Sequence, residues 1–213
     1  MPKYQTKKEH ISMLEWFKNI ADENVIQDNL TFASLFIAMY ENMVDYIVSN
    51  LKGFLCDVEV RDGKEIWKST NIYRDEIKKR IVDQFGNTDV TKASFLWLVD
   101  NNAITESDYE CFLESKRIRN KYAHELVNVM MQGVNENEIK QLFDMFALYQ
   151  KITKWYFCEI EAPIVGVELP DCVDSAEVSS FATIVFSMAL EVLYRGKSEE
   201  YKVMLEKFEK DYR

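Results

Sequence analysis

The sequence predicts an all-α protein, and three observations lead there. Only 6 Gly and 3 Pro occur in 213 residues, with the prolines at positions 2, 163 and 170, so long stretches carry no backbone punctuation. Apolar residues recur at intervals of three and four along most of the chain instead of alternating. Hydrophobic residues make up 47% and aromatics 13%, enough to fill a sizeable core. The expected organisation is a helical bundle over 1–160, a linker over 161–173 and a C-terminal helical extension over 174–213.

The first expected helix runs from Thr6 to about Glu23, with Ile11, Leu14, Phe17 and Ile20 on one stripe. The second follows a cap at Asp28 or Asn29. It carries Phe32, Leu35, Phe36, Met39, Tyr40, Met43, Ile47 and Leu51 at helical spacing. Ala33, Ile37, Val44 and Val48 broaden that stripe, as in a helix with neighbours on more than one side. Val58, Val60, Asp62-Gly63 and Ile66 suggest a small β-hairpin near 56–67, because Asp-Gly supplies the positive φ of a tight turn; a plain loop is the alternative. Helices are expected again at 69–85 and 90–100. Thr105-Glu106-Ser107-Asp108 is a capping signature, and helical character runs from it towards Met131. Asn135 with Glu138 caps the next helix, which continues to about Ile160. Pro163, Gly166 and Pro170 mark the linker. Asp174 and Glu177 then open a helix through Val178, Phe181, Val185, Met188 and Leu193 that stops at Arg195-Gly196, and Ser198 starts a last one.

Net charge narrows the function. At −10 the chain is no general nucleic-acid coat, whose affinity comes from neutralising phosphates, although a local basic site is compatible with an acidic whole. Cys56, Cys111, Cys158 and Cys172 are far apart and form no CxxC pair, so neither a zinc site nor a disulfide framework is implied, and no metal or cofactor is expected. No signal-peptide pattern and no run of ~18 apolar residues is present, which makes a cytoplasmic protein without membrane association the expectation.

Chemistry concentrates in one segment. The chain has two histidines. His10 sits beside Lys7, Lys8 and Glu9 and reads as solvent-facing. His124 ends the run Lys116-Arg117-Ile118-Arg119-Asn120-Lys121-Tyr122-Ala123-His124, in which four basic residues fall within six positions of an otherwise acidic chain. The basic run suits local attraction for a phosphate. The spacing Arg119-x4-His124 resembles the Arg-x(4–6)-His signature of the HEPN superfamily (higher eukaryotes and prokaryotes nucleotide-binding domains). That resemblance implies Arg119 and His124 as a catalytic pair with Asn120 between them, RNA as substrate, and Lys116, Arg117 and Lys121 as candidate substrate-binding residues. RNA carries its own nucleophile, the 2′-hydroxyl. Cleaving it requires a proton acceptor, a proton donor and stabilisation of the extra phosphate charge. Imidazole titrates near neutrality and serves as acid or base. Guanidinium stays charged and forks onto two phosphate oxygens. Asn120 is suited to orienting either group.

The pattern Arg119-Asn120-Lys121-Tyr122-Ala123-His124 carries the resemblance, which implies a HEPN-like helical bundle covering about residues 25–160. It also implies a metal-independent endoribonuclease that leaves a 2′,3′-cyclic phosphate and a 5′-hydroxyl. Such proteins serve as toxins or as abortive-infection effectors of antiviral defence, commonly as homodimers that pool two motifs in one cleft. Arg117 also lies at an allowed spacing from His124; Arg119 is preferred because Asn120 follows it. Members that pair with a nucleotidyltransferase antitoxin typically carry a tyrosine two residues after the histidine, where this chain has Leu126.

One geometric condition bears on the nuclease, and one reading competes with it. Residues five apart on a continuous helix are rotated by about 140° and do not share a face, so a productive pair requires a break near Asn120 or one residue from each protomer. Alternatively, the segment is an ordinary charged face, with Lys116, Arg117 and Lys121 pairing with Glu110 and Glu114 at helical spacing. The chain is then a non-catalytic helical module that holds a partner, such as an antitoxin or a defence-complex protein. Lys78-Lys79-Arg80 is a second basic patch, read as an RNA guide or as plain surface.

Overall fold

The computed structural model describes residues 15–167 and 178–196. These residues are mostly helical, with one small two-stranded antiparallel sheet. The chain separates into two compact units, Met1–Leu148 and Tyr149–Arg213.

In the first unit, helix α1 covers 15–21 and stops at Asp22. Helix α2 spans Glu23–Leu55, and Asp22 rather than Asp28 or Asn29 is its cap, accepting from the Asn24 and Val25 amides. The expected apolar stripe of the first helix is not a core face where it is described: Phe17 and Ile20 are exposed. By contrast, α2 buries Phe32, Phe36, Met39, Tyr40, Met43, Ile47, Leu51 and Leu55, and packs against α4, α5 and α6, introduced below.

Cys56–Arg61 (β1) and Lys64–Ser69 (β2) form the hairpin, closed by Asp62 at φ 51° and Gly63 at φ 71°. Two consecutive positive φ values define the turn whose twist matches the strands, which is why Asp-Gly stands there. Beyond it the expected helix at 69–85 is much shorter. Asn71–Tyr73 (α3) runs into a widened turn at Arg74–Lys78, and the chain then loops through Asp83, whose carboxylate accepts from the Phe85 and Asn87 amides. A side chain that satisfies loop amides competes with helix continuation.

Val90–Asp100 (α4) is capped by Asp89, and Glu106–His124 (α5) by the expected box. Thr105 Oγ1 accepts from the Asp108 amide at 3.2 Å, and Asp108 accepts from the Thr105 amide at 2.8 Å. The long helix expected to Met131 is interrupted at Glu125 (φ −123°, ψ 33°), after which Leu126–Gln132 (α6) leads to Gly133. Asn135 and Glu138 then cap Glu136–Tyr156 (α7) reciprocally.

In the second unit the helix does not end at Ile160. A widened turn at Phe157–Glu161 precedes Ala162–Val165 (α8), so Pro163 lies in a helix rather than in a linker. Proline lacks an N–H and clashes with the carbonyl four residues back, and a widened turn before it accommodates both defects. The αL residue Gly166 ends the segment. Phe181–Arg195 (α9) starts at a Ser180 cap, later than Asp174 or Glu177, and stops as expected at Gly196. Asp174, Glu177 and the last helix from Ser198 lie outside the described residues.

The first unit's core is an aromatic seam between α2, α4 and α5. Tyr122 meets Phe32 and Phe36 edge-on at 5.8 and 5.5 Å, while Phe112 stacks on Phe95 at 3.7 Å and lies parallel to Tyr40 at 6.2 Å. Aromatic pairs of these kinds stabilise beyond their buried area by about 1 kcal/mol each. Phe112 is fully buried and touches rings from two other elements. Phe112→Ala should therefore lower unfolding free energy by roughly 3–5 kcal/mol in urea titrations; a loss under about 1 kcal/mol would show that the seam does not carry the unit.

Candidate functional site on helix α5

The core fixes the rotation of α5. Phe112, Ser115, Ile118 and Tyr122 recur at three and four residues and are all buried, so the opposite stripe is determined. Lys116, Asn120 and His124 fall on it at intervals of four, spanning about 12 Å along the helix. Asn120 and His124 are exposed, and Lys116 is half-buried. His124 stands in the last helical turn, where cations favour the helix dipole, and Glu125 just beyond it is both the end of α5 and the start of α6.

The break therefore lies after His124 and not near Asn120. Arg119 and His124 belong to one continuous helix, their Cα–Cβ bonds about 140° apart. Arg119 nonetheless bends towards the polar stripe. Its Nη1 donates to Asn120 Oδ1 at 3.0 Å, its Nε and Nη2 face Glu41 Oε1 on α2, and its guanidinium lies 5.9 Å from the Tyr40 ring centroid. Asn120 thus links the guanidinium to the face that bears the imidazole. Burial pushes the Tyr40 hydroxyl well above its ordinary range; Glu41 adds to this and Arg119 opposes it.

Every cation of the segment has a carboxylate. Lys116 Nζ is 3.0 Å from Asp89 Oδ2, Arg117 grips Glu114 through two nitrogens at 2.6 and 2.8 Å, Arg119 meets Glu41, and Lys121 Nζ is 2.6 Å from Glu138 Oε1. The helical-spacing expectation holds only for Arg117 and Glu114. Lys116 and Lys121 reach instead to Asp89 and Glu138 on other elements. Asp108, a residue near enough in sequence to orient an arginine, serves as a cap. The second basic patch is also engaged: Lys79 with Asp75, Arg80 with Asp100, and Lys78 with the Ser69 hydroxyl.

No family model, curated protein or solved structure matches the chain.

The four pairs differ in how readily they open to a phosphate. Arg117 and Glu114 are mostly exposed, at 64% and 43% of the side chain, so water screens them and the pair is weak. Lys121 is held differently, because the Glu138 side chain is only 5% exposed and its second oxygen accepts from the Asn135 amide. Lys121 is committed to the structure, whereas Arg119 keeps Nη1 on the solvent-facing Asn120. Gln141 donates to Ser115 Oγ and to the Cys111 carbonyl at 2.9 Å, and burial pushes the Cys111 thiol above its ordinary range, which disfavours the thiolate. Among the described residues no cluster of three or more His, Cys, Asp or Glu could hold a metal ion, and no helix is long and apolar enough to cross a membrane. His10 and Cys172 lie outside the described residues.

Two outcomes follow. Glu138→Ala should destabilise the protein by about 3 kcal/mol, since it strands a part-buried ammonium and removes a cap at once; a change within about 0.5 kcal/mol would make the pair ornamental. Burial raises the Asp89 carboxyl, but the Lys92 amide and the Lys116 ammonium outweigh it, and the net shift is below the ordinary aspartate range. Its contribution is thus present above the unfolded value of about 3.9 and lost as pH falls through the lower folded value. Urea titrations of wild type and Asp89→Asn should converge on acidification through that window; a gap that stays constant would remove the ionised pair from the account.

Proposed function

We propose that the chain is a HEPN-type, metal-independent endoribonuclease acting as a homodimer, in the role of a toxin or anti-phage abortive-infection effector. One observation carries the reading: the Arg119 guanidinium donates to Asn120, which shares an exposed helical stripe with His124 at the end of α5. Arg119 stands about 140° from His124 on an unbroken helix, so a phosphodiester that meets both would take the guanidinium, released from Glu41, from one copy and the imidazole from the other. In the reaction the 2′-oxygen bonds to phosphorus as its proton passes to a base, and the bond from phosphorus to the 5′-oxygen breaks as an acid protonates that oxygen. The motif offers one imidazole per chain, so two copies would supply both the base and the acid. Arg119 would stabilise the charge that builds on the phosphoryl oxygens. Lys116 and Arg117 would then hold flanking phosphates once their carboxylates yield.

A second reading is favoured by the ion pairs. With Lys116, Arg117, Arg119 and Lys121 all neutralised, the segment suits a scaffold that braces helices and holds a protein partner. Incubation of purified protein with single-stranded RNA in EDTA separates the two. Wild type should give 2′,3′-cyclic phosphate ends, and His124→Ala and Arg119→Ala should each be slower by on the order of 10²-fold or more. Equal residual cleavage by all three proteins would mean a contaminant and end the catalytic reading; no cleavage by any would favour the scaffold.

A further inference from the structure

The β-hairpin has no described role in the candidate site. It springs from the C-terminal end of α2, about 21 Å along that helix from Glu41. As a two-stranded sheet it leaves both outer edges without a strand partner among the described residues. Such an isolated ribbon is marginal in water unless something adds to it.

Which groups face outward follows from the register. The two-residue turn makes Arg61 and Lys64 a hydrogen-bonded pair, and alternation extends this to Glu59 with Ile66 and Asp57 with Lys68. The N–H and C=O of Val58 and Val60 therefore point away from β2, and among the described residues neither takes part in a backbone hydrogen bond outside the ladder. On the apolar face Val58 stands opposite Trp67 with Val60 beside it, at 50%, 39% and 67% exposed. The other face carries Asp57, Glu59 and Arg61, with Glu59 paired to Arg61 and Lys68. β1 contains no proline and no bulge, and its charges, Asp57, Glu59 and Arg61, all lie on one face and are of both signs, so a partner strand can match them instead of being repelled.

We propose that β1 is an association edge for a second copy of this chain, joining two hairpins into a four-stranded antiparallel sheet about a two-fold axis through the paired Glu59 positions. A two-fold perpendicular to a sheet keeps the same face up on both copies, so only registers pairing residues of like parity close symmetrically. Centring on Glu59 places Val58 opposite Val60 of the other copy, twice, with their outward N–H and C=O groups in mutual reach. On the reverse face it places Asp57 opposite Arg61, twice. The one like-charge juxtaposition, Glu59 with its copy, is offset by the Arg61 and Lys68 that already hold each carboxylate. Sliding by one residue on each copy sets Asp57 against Glu59 in one direction and runs Val58 into the turn in the other. Centring β2 on Ile66 sets Lys64 against Lys68. Charge excludes the register centred on Val58 and the β2 edge. The register centred on Val60 sets Glu59 against Arg61 but leaves Val58 facing Asp62 of the turn, so the Val58–Val60 pairing selects the central register of β1. This inference does not depend on the nuclease reading, and its test reads association, not activity.

The test is a charge exchange followed by sedimentation velocity over a dilution series of the full chain. Wild type should associate reversibly to a dimer as concentration rises. Asp57→Arg and Arg61→Asp should each weaken association at least tenfold, because each sets like charges opposite one another. An equimolar mixture of the two variants should recover dimer, since both cross-strand pairs become opposite again. Amide exchange should slow at Val58 and Val60 on dimerisation and stay unchanged at Asp57 and Glu59, which already face β2. A monomer at every concentration would overturn the proposal. So would single variants that dimerise like wild type, a mixture that recovers nothing, or protection at residues of the wrong parity.

Discussion

The rotation of α5 about its own axis is the constraint on which the candidate site depends. That rotation is set by rings. Tyr122 wedges between Phe32 and Phe36, and Phe112 lies between Phe95 and Tyr40, so the helix is held at two levels a few turns apart. Two such anchors leave no freedom to roll. The polar stripe of Lys116, Asn120 and His124 faces away from the core because the apolar stripe cannot face elsewhere, and Arg119 emerges at the flank, where Glu41 waits on the neighbouring helix. Tyr40 and Glu41 are consecutive, so packing Tyr40 into the seam also fixes where the Glu41 carboxylate meets the arginine.

A basic run in a sequence is a statement about formal charge, and the fold changes its meaning. Asp89 arrives from the cap of α4, Glu41 from α2 and Glu138 from the cap of α7, each brought to α5 by packing. The local field is that of a set of dipoles, oriented by which partner is buried. Where the carboxylate is the buried member, as at Lys121, the pair resists exchange. Where both are wetted, as at Arg117, an incoming anion meets little opposition.

Much of the scaffold was legible in the residues. The apolar period of α2, the Thr105–Asp108 box, the Asn135–Glu138 box, the Asp62-Gly63 turn and the stop at Gly196 are local signals, and each appears where the sequence places it. The misplaced boundaries share a cause: side chains that satisfy backbone groups in more than one conformation. Asp22 takes the cap that Asp28 and Asn29 could have supplied, and Asp83 feeds a loop where apolar spacing suggested a helix. Pro163 misled in the opposite sense, because a widened turn lets a helix absorb it. In the site, the bidentate Arg117–Glu114 pair fits helical spacing, and the Arg119–Asn120 contact joins neighbours in sequence. Glu41 is 78 positions from Arg119, and no period or motif connects them. Only tertiary packing does.

Glu138 serves two masters. One carboxylate oxygen receives the Lys121 ammonium from the last turn of α5, and the other receives the Asn135 amide that begins α7. Fraying at either terminus strips the shared anion of half its solvation, so the unravelling of one end raises the cost of keeping the other. The two helix ends therefore melt or hold as a single cooperative knot, in the same last turn of α5 that carries His124.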